Sequence, residues 1–255
     1  MSYRSQTITA VVLTRDDAKV IERCLDSVKW VDEILVLDAG STDNTLELAR
    51  RYTQKIFFHP SDDASTRRNF AFQLAKSDWV LSLDAKEWVE EMLRHEIDGV
   101  LLNANADVDG YSIARRVMFQ NEELAGDGKS RSIRLFRKGK GYAVTGPYPH
   151  LIAVQGESEK LSRVIGYEPF TNLEEWFDTV NENSTLAAYQ ALEAGKVASS
   201  TGVMNLLIKT KWTFLSSFLA HSGAGMNGLT MALAKTVEQY LTQNKMRSLS
   251  KVSSK

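Results

Sequence analysis

Through Leu102 the chain alternates short apolar, β-branched runs with stretches of helical spacing, and this alternation limits the fold more than any other feature. Residues 7–13, 33–38, 55–58 and 78–83 read as buried strands, and 18–30, 45–52, 65–76 and 88–102 as helices. Such alternation builds βαβ units, a mostly parallel sheet with helices on both faces. Right-handed crossovers give the strands one common carboxyl edge, and ligands of open α/β sheets bind outside that edge. The residues to inspect are therefore Thr14-Arg15-Asp16-Asp17, Asp38-Ala39-Gly40-Ser41, His59-Pro60 and Asp84-Ala85-Lys86-Glu87.

After residue 105 the pattern changes. Residues 111–119 and 132–137 read as strands around a polar loop at 121–130, and 139–166 reads as loop-rich. Helices are expected over 173–194, 203–220 and 226–243, with 248–255 frayed. The division that follows is a sheet domain over 1–170 and an amphipathic helical C-terminal extension over 171–255. A chain of 255 residues suffices for one full core plus such an appendage.

Charge divides in the same way. From Lys196 onward eight Lys/Arg accompany one acid, Glu238, so this stretch is +7 and residues 1–195 carry −8 of the net −1. A basic extension suits an anionic membrane or acidic surface, or is a solvated face. The near-neutral whole excludes a generic nucleic-acid binder. One cysteine, Cys24, excludes an internal disulfide and a structural zinc cluster, and a reducing cytoplasmic setting is expected. No secretory signal follows Met1, and no run of 18 apolar residues predicts a spanning helix.

At the strand ends, Asp38 and Asp84 face one crevice. A carboxylate there can accept from a base N–H or a ribose hydroxyl, or hold Mg²⁺ or Mn²⁺ against a diphosphate. Arg67 and Arg68, opening a helix after the third strand, can grip phosphate. These parts suit a nucleotide-diphosphate ligand. Asp38 in Asp-x-Gly-Ser-x-Asp also fits a turn aspartate, Asp84 a helix cap, and the arginines plain surface charges.

The order "TAVVLTRDD", "CLDSVKWVDEILVLDAGSTDNTLELA" and "STRRNFAFQLAKSDWVLSLDAKEWV" resembles glycosyltransferase family 2. Within it the sequence is similar to the bacterial subfamily that includes lipopolysaccharide inner-core β-1,4-glucosyltransferases. The likeness continues more weakly through "SRSIRLFRKGKGY", "PYPH" and "KWTFLSSFLAHSGAGMNGLTMAL". It implies a GT-A fold, Rossmann-like, and inverting transfer from a nucleotide sugar, a UDP-sugar being favoured, to a cell-envelope glycan or lipid-linked acceptor. Carried onto this chain, it places Thr14 against the nucleotide, Asp38 on the base, Arg68 near the phosphates and Asp84 as first carboxylate of an Asp-x-Asp element.

Two departures matter. The family's Asp-Ala-Asp-Glu is here Asp84-Ala85-Lys86-Glu87, and its downstream His-Glu pair is His150-Leu151. An ammonium beside Mg²⁺ is repulsive by roughly 1–4 kcal/mol. Lys86 could instead place its own charge on the diphosphate, or Glu87 could join Asp84 as a metal ligand. His150 is the candidate general base, with Asp127, Glu157 and Glu159 as others in reach. The apolar segments beside Lys209 and Lys211 fit docking on the inner leaflet, or packing against the sheet domain or a dimer partner. The rival class is a non-catalytic family member that keeps the nucleotide pocket or serves as a scaffold. A nucleotidyltransferase is disfavoured because no glycine-rich phosphate loop follows the first strand.

Overall fold

The computed structural model describes residues 6–61, 63–102, 107–119, 122–123, 131–145, 151–170, 175–176, 180–181, 184–185, 188, 211, 214–216 and 225–252. The chain forms two compact units, one of Met1–Arg116 with Lys129–Tyr167, the other of Val117–Gly128 with Glu168–Lys255.

The first unit is built on β1 (Ile8–Thr14), α1 (Ile21–Ser27), β2 (Glu33–Asp38), α2 (Thr45–Ala49), β3 (Ile56–Phe58), α3 (Ala64–Leu74) and β4 (Trp79–Asp84). Next come β5 (Glu87–Val89), α4 (Glu91–Leu102) and β6 (Val108–Phe119). The end of β6, from Val117, pairs briefly with β7 (Glu122–Glu123), and both fall in the second unit. β8 (Arg131–Arg137), β9 (Gly141–Ala143), β10 (Ile152–Val154) and β11 (Glu157–Tyr167) complete the first unit. The main sheet runs β3-β2-β1-β4-β8-β6-β11-β5, and β9 pairs with β10 separately. β3, β2, β1 and β4 are parallel, whereas β8 joins β4 antiparallel. This is the mostly parallel, helix-flanked GT-A sheet that the alternation and the family resemblance imply.

The parallel strands read as continuous apolar runs because both faces are covered. Ile8, Ala10 and Val12 point to the layer of α1 and α4, where Ile21, Cys24, Leu25, Leu93 and Ile97 are fully buried. Val11, Leu35 and Val80 point the other way, onto Ala71 and Phe72 of α3 and Phe136 of β8. Two expectations change. The stretch 139–166, read as loop, contains β9, β10 and most of β11. The helix expected from residue 88 starts at Glu91, because Glu87–Val89 pairs with the end of β11.

In the second unit the long helix is α5 (Gly225–Val252), which carries helix through most of the stretch expected to fray. Lys245 Nζ there donates to Asn181 O, Ser184 Oγ and Thr185 Oγ1 at 2.6–2.9 Å. Among the described residues no helix is long and apolar enough to cross a membrane. The helices expected over 173–194 and 203–220 lie largely outside the described residues.

Candidate functional site

Register alone brings the strand-end residues together. Thr14 pairs with Asp38 across β1 and β2, and Leu13 pairs with Asp84 across β1 and β4. All three side chains therefore sit at one carboxyl edge.

The loops beyond β1 and β2 are knitted to each other. Thr14 is buried and its Oγ1 donates to Asp17 Oδ2 at 2.9 Å. Asp16 adopts φ +53°, its N–H donates to Ser41 Oγ at 2.9 Å, and its Oδ1 accepts from Thr42 N at 2.7 Å. Asp17 N donates to Thr45 Oγ1 at 2.8 Å. Asp38, itself buried, accepts from Gly40 N, Ser41 N and Ser41 Oγ. Its carboxylate thus closes its own turn, and Gly40, at φ +93°, supplies the left-handed residue that the turn needs.

α3 delivers the arginine. Asp63 caps the helix, accepting from Ser65 N and Thr66 N, and these bonds with the Ser65 and Thr66 hydroxyls hold its carboxyl down at about 2. One turn later Arg68 is buried to 1% exposure; it donates to Asp84 Oδ1 and, at 3.3 Å, to Ser82 Oγ. Arg67 turns away and donates to Ser61 O at 2.6 Å.

Asp84 is the centre of a larger ionic cluster. Its Oδ2 lies 3.4 Å from Arg115 Nη2, on β6. Its backbone N–H donates to Glu87 Oε2 at 2.8 Å. Glu87 is fully enclosed, and its Oε1 accepts from Arg134 Nη2 at 2.9 Å and lies 2.5 Å from Arg115 Nε, an ion pair off the N–H direction. Burial first, then the Asp84 charge, pushes the Glu87 carboxyl above its ordinary value, while Arg115 opposes the shift. Arg115 also stacks 4.8 Å from the Tyr167 ring centre. Burial raises the Asp17 carboxyl; the Thr14 hydroxyl and the nearby Lys86 charge pull it back.

Sequence reasoning missed Arg115 and Arg134. The available signal was a charge at a core-facing position: Arg115 shares the parity of buried Tyr111, Ile113 and Val117, and Arg134 adjoins buried Leu135 and Phe136.

A divalent cation needs open oxygen donors. Asp84 and Glu87, the expected metal ligands, do not offer an open pair: both Asp84 oxygens meet guanidinium groups, and Glu87 is wholly inside. Among the described residues no group of three or more His, Cys, Asp or Glu could hold a metal ion. The donor set does not fit a carboxylate-bound cation.

Of the candidate bases, His150 and Asp127 lie outside the described residues. Glu157 lines a cavity of about 810 Å³ with Gln6 and Arg137, at the amino edge of the sheet, where Gln6 accepts from the Trp79 indole. That places Glu157 away from Asp84. Glu159 is exposed on β11.

The sequence profile of glycosyl transferase family 2 matches residues 9–146. The chain is 24% identical over 251 residues to the lipopolysaccharide core biosynthesis glycosyltransferase LpsC of Rhizobium meliloti, covering 94% of this chain and 91% of LpsC. Among solved structures, Staphylococcus aureus TarS 1–349 in complex with UDP-GlcNAc superposes with a TM-score of 0.49 at 14% identity, over 96% of this chain and 92% of that one. Glucosyl-3-phosphoglycerate synthase from Mycobacterium tuberculosis, in complex with Mn²⁺ and UDP-Glc, gives 0.46 at 14% identity, over 78% and 83%. With its profile match spanning more than half its length, the chain belongs to glycosyl transferase family 2.

Proposed function

We propose that this protein moves a sugar, with inversion, from a nucleotide diphosphate donor to a cell-envelope glycan or lipid-linked acceptor, UDP being the favoured nucleotide. The observation that carries the reading is the Arg68–Asp84–Arg115 cluster at the carboxyl edge beside Thr14 and Asp38. The envelope acceptor is suggested by the likeness to LpsC. A cytoplasmic enzyme working at the inner face of the membrane would meet such an acceptor, with the basic residues after Lys196 toward anionic lipid.

In the reaction an acceptor hydroxyl oxygen bonds the anomeric carbon as the bond from that carbon to the diphosphate breaks. The bonding pair leaves with the diphosphate, and the hydroxyl proton passes to a base, for which His150 is the candidate. Fixed cations aimed at the departing charge stabilise the transition state without reorganising. Arg115 is held for this by β6 and Lys86 by the turn after β4, while Arg68, buried on α3, holds Asp84. Thr14 and Asp38 shape the nucleotide end through the loops that they brace.

The test is incubation with UDP-, GDP- and ADP-sugars and a lipid extract from a lipopolysaccharide-bearing bacterium, following release of nucleotide and labelled sugar in the lipid fraction. Transfer is expected, and His150→Ala should slow it about 10²–10⁴-fold. Tight nucleotide binding with no transfer from any donor would overturn the catalytic reading in favour of a binding or scaffold role, the role to which Lys86 in the Asp-x-Asp element points.

A further inference from the structure

We infer that the nucleotide diphosphate is held here by side-chain cations without a divalent metal, and that Arg115 and Lys86 carry that task together. The inference rests on the nucleotide-sugar reading above. Around Asp84 the structure gathers Arg68, Lys86, Arg115 and Arg134 against Asp17, Asp84 and Glu87. A site that recruits Mg²⁺ or Mn²⁺ beside phosphates presents one or two open carboxylates; here both oxygens of Asp84 already face guanidinium groups. The carboxylate that could have completed a metal site, Glu87, faces inward as the counter-ion of Arg134 and Arg115. That pairing anchors Arg115 from below, while its side chain keeps 15% exposure and its Nη2 reaches Asp84 at the cleft. Lys86 is half-buried two residues beyond Asp84, close enough for its charge to act on Asp17. A guanidinium can grip diphosphate oxygens bidentately and an ammonium acts as a point charge, so the two are complementary on one anion. With both cations supplied by the chain itself, diphosphate affinity should not depend on a metal supply.

The experiment is calorimetric titration of the full chain with UDP, GDP and ADP, first in EDTA and then with Mn²⁺, together with Lys86→Ala, Lys86→Asp and Arg115→Gln, each checked for an unchanged melting temperature. Binding in EDTA equal to that in Mn²⁺, about tenfold weaker in Lys86→Ala and in Arg115→Gln, is expected. Lys86→Asp, on the half-exposed turn, should lose affinity in EDTA and recover it with Mn²⁺. Wild-type binding that appears only with Mn²⁺ would overturn the inference and leave the glycosyltransferase reading standing. Equal affinity of wild type and Lys86→Ala in EDTA would remove the lysine's role. Absence of binding by any nucleotide in either condition would overturn both readings.

Discussion

Replacing Asp63 by alanine should cost about 2 kcal/mol and should do so in a pH-dependent way. The carboxylate accepts from two of the four amide groups that open α3 without an intrahelical partner, Ser65 N and Thr66 N, and from the hydroxyls of the same residues. A lost cap costs about 0.5–2 kcal/mol. The upper end applies because Ser65 is fully buried, and an amide or hydroxyl stranded there loses about 1–3 kcal/mol. For a chain of this size about 2 kcal/mol lowers the melting temperature by roughly 4–8 °C. The carboxyl sits at about 2 in the folded protein against 3.8 ordinarily. A depressed carboxyl contributes its stability above the unfolded value and loses it as pH falls through the folded one. The Asp63→Ala penalty in urea unfolding should therefore be complete at pH 7 and about halved near pH 3, between those two values. Asp63→Asn, whose amide oxygen can cap, should recover most of the loss at pH 7. A penalty below about 0.3 kcal/mol, or one that is the same at pH 7 and pH 3, would refute the argument.

Gly166→Ala should destabilise by about 1–3 kcal/mol, read from the urea midpoint, because a Cβ there would fall 2.1 Å from Cε2 of the buried Trp88 ring. An unchanged midpoint would mean that this ring can move aside, although Arg23 stacks on it at 3.4 Å. Trp79→Ala removes the largest fully buried side chain of the core and should cost about 3–5 kcal/mol by the same measurement. Cys24 is fully buried, and burial raises its thiol well above the ordinary value; a thiol reagent should label it no faster than the protein unfolds. Prompt labelling of the native chain would show that α1 opens locally.

The parallel half of the sheet was legible because a strand covered on both faces needs a near-continuous apolar run, and Ile8–Leu13, Ile34–Leu37 and Trp79–Leu83 supply one each, broken only by the small hydroxyl residues Thr9 and Ser82. Once those runs align, register sets Thr14, Asp38 and Asp84 on one edge, so the place of the site could be read before its geometry was known. The antiparallel half was hidden by its exposure. Glu157 to Lys160 are all exposed, and β11 keeps only Leu161, Ile165 and Gly166 buried, too few to separate a half-wet strand from a loop. Trp88 and Val89 looked like the first turn of a helix because the strand pairing of Glu87–Val89 comes from Ile165–Tyr167, which no local window contains.

The ionic cluster was hidden for a different reason. A guanidinium at an inward strand position is tolerable only if an opposite charge arrives from elsewhere in the chain. For Arg134 that charge is Glu87, 47 residues upstream. Read locally, Glu87 looks like a metal ligand beside Asp84. Across the fold it is buried as the counter-charge of Arg134 and Arg115. Charge at the cleft is then set by partners chosen across the fold, and the Asp-x-Lys spelling acquires its meaning only when Arg115 and Arg134 are beside it.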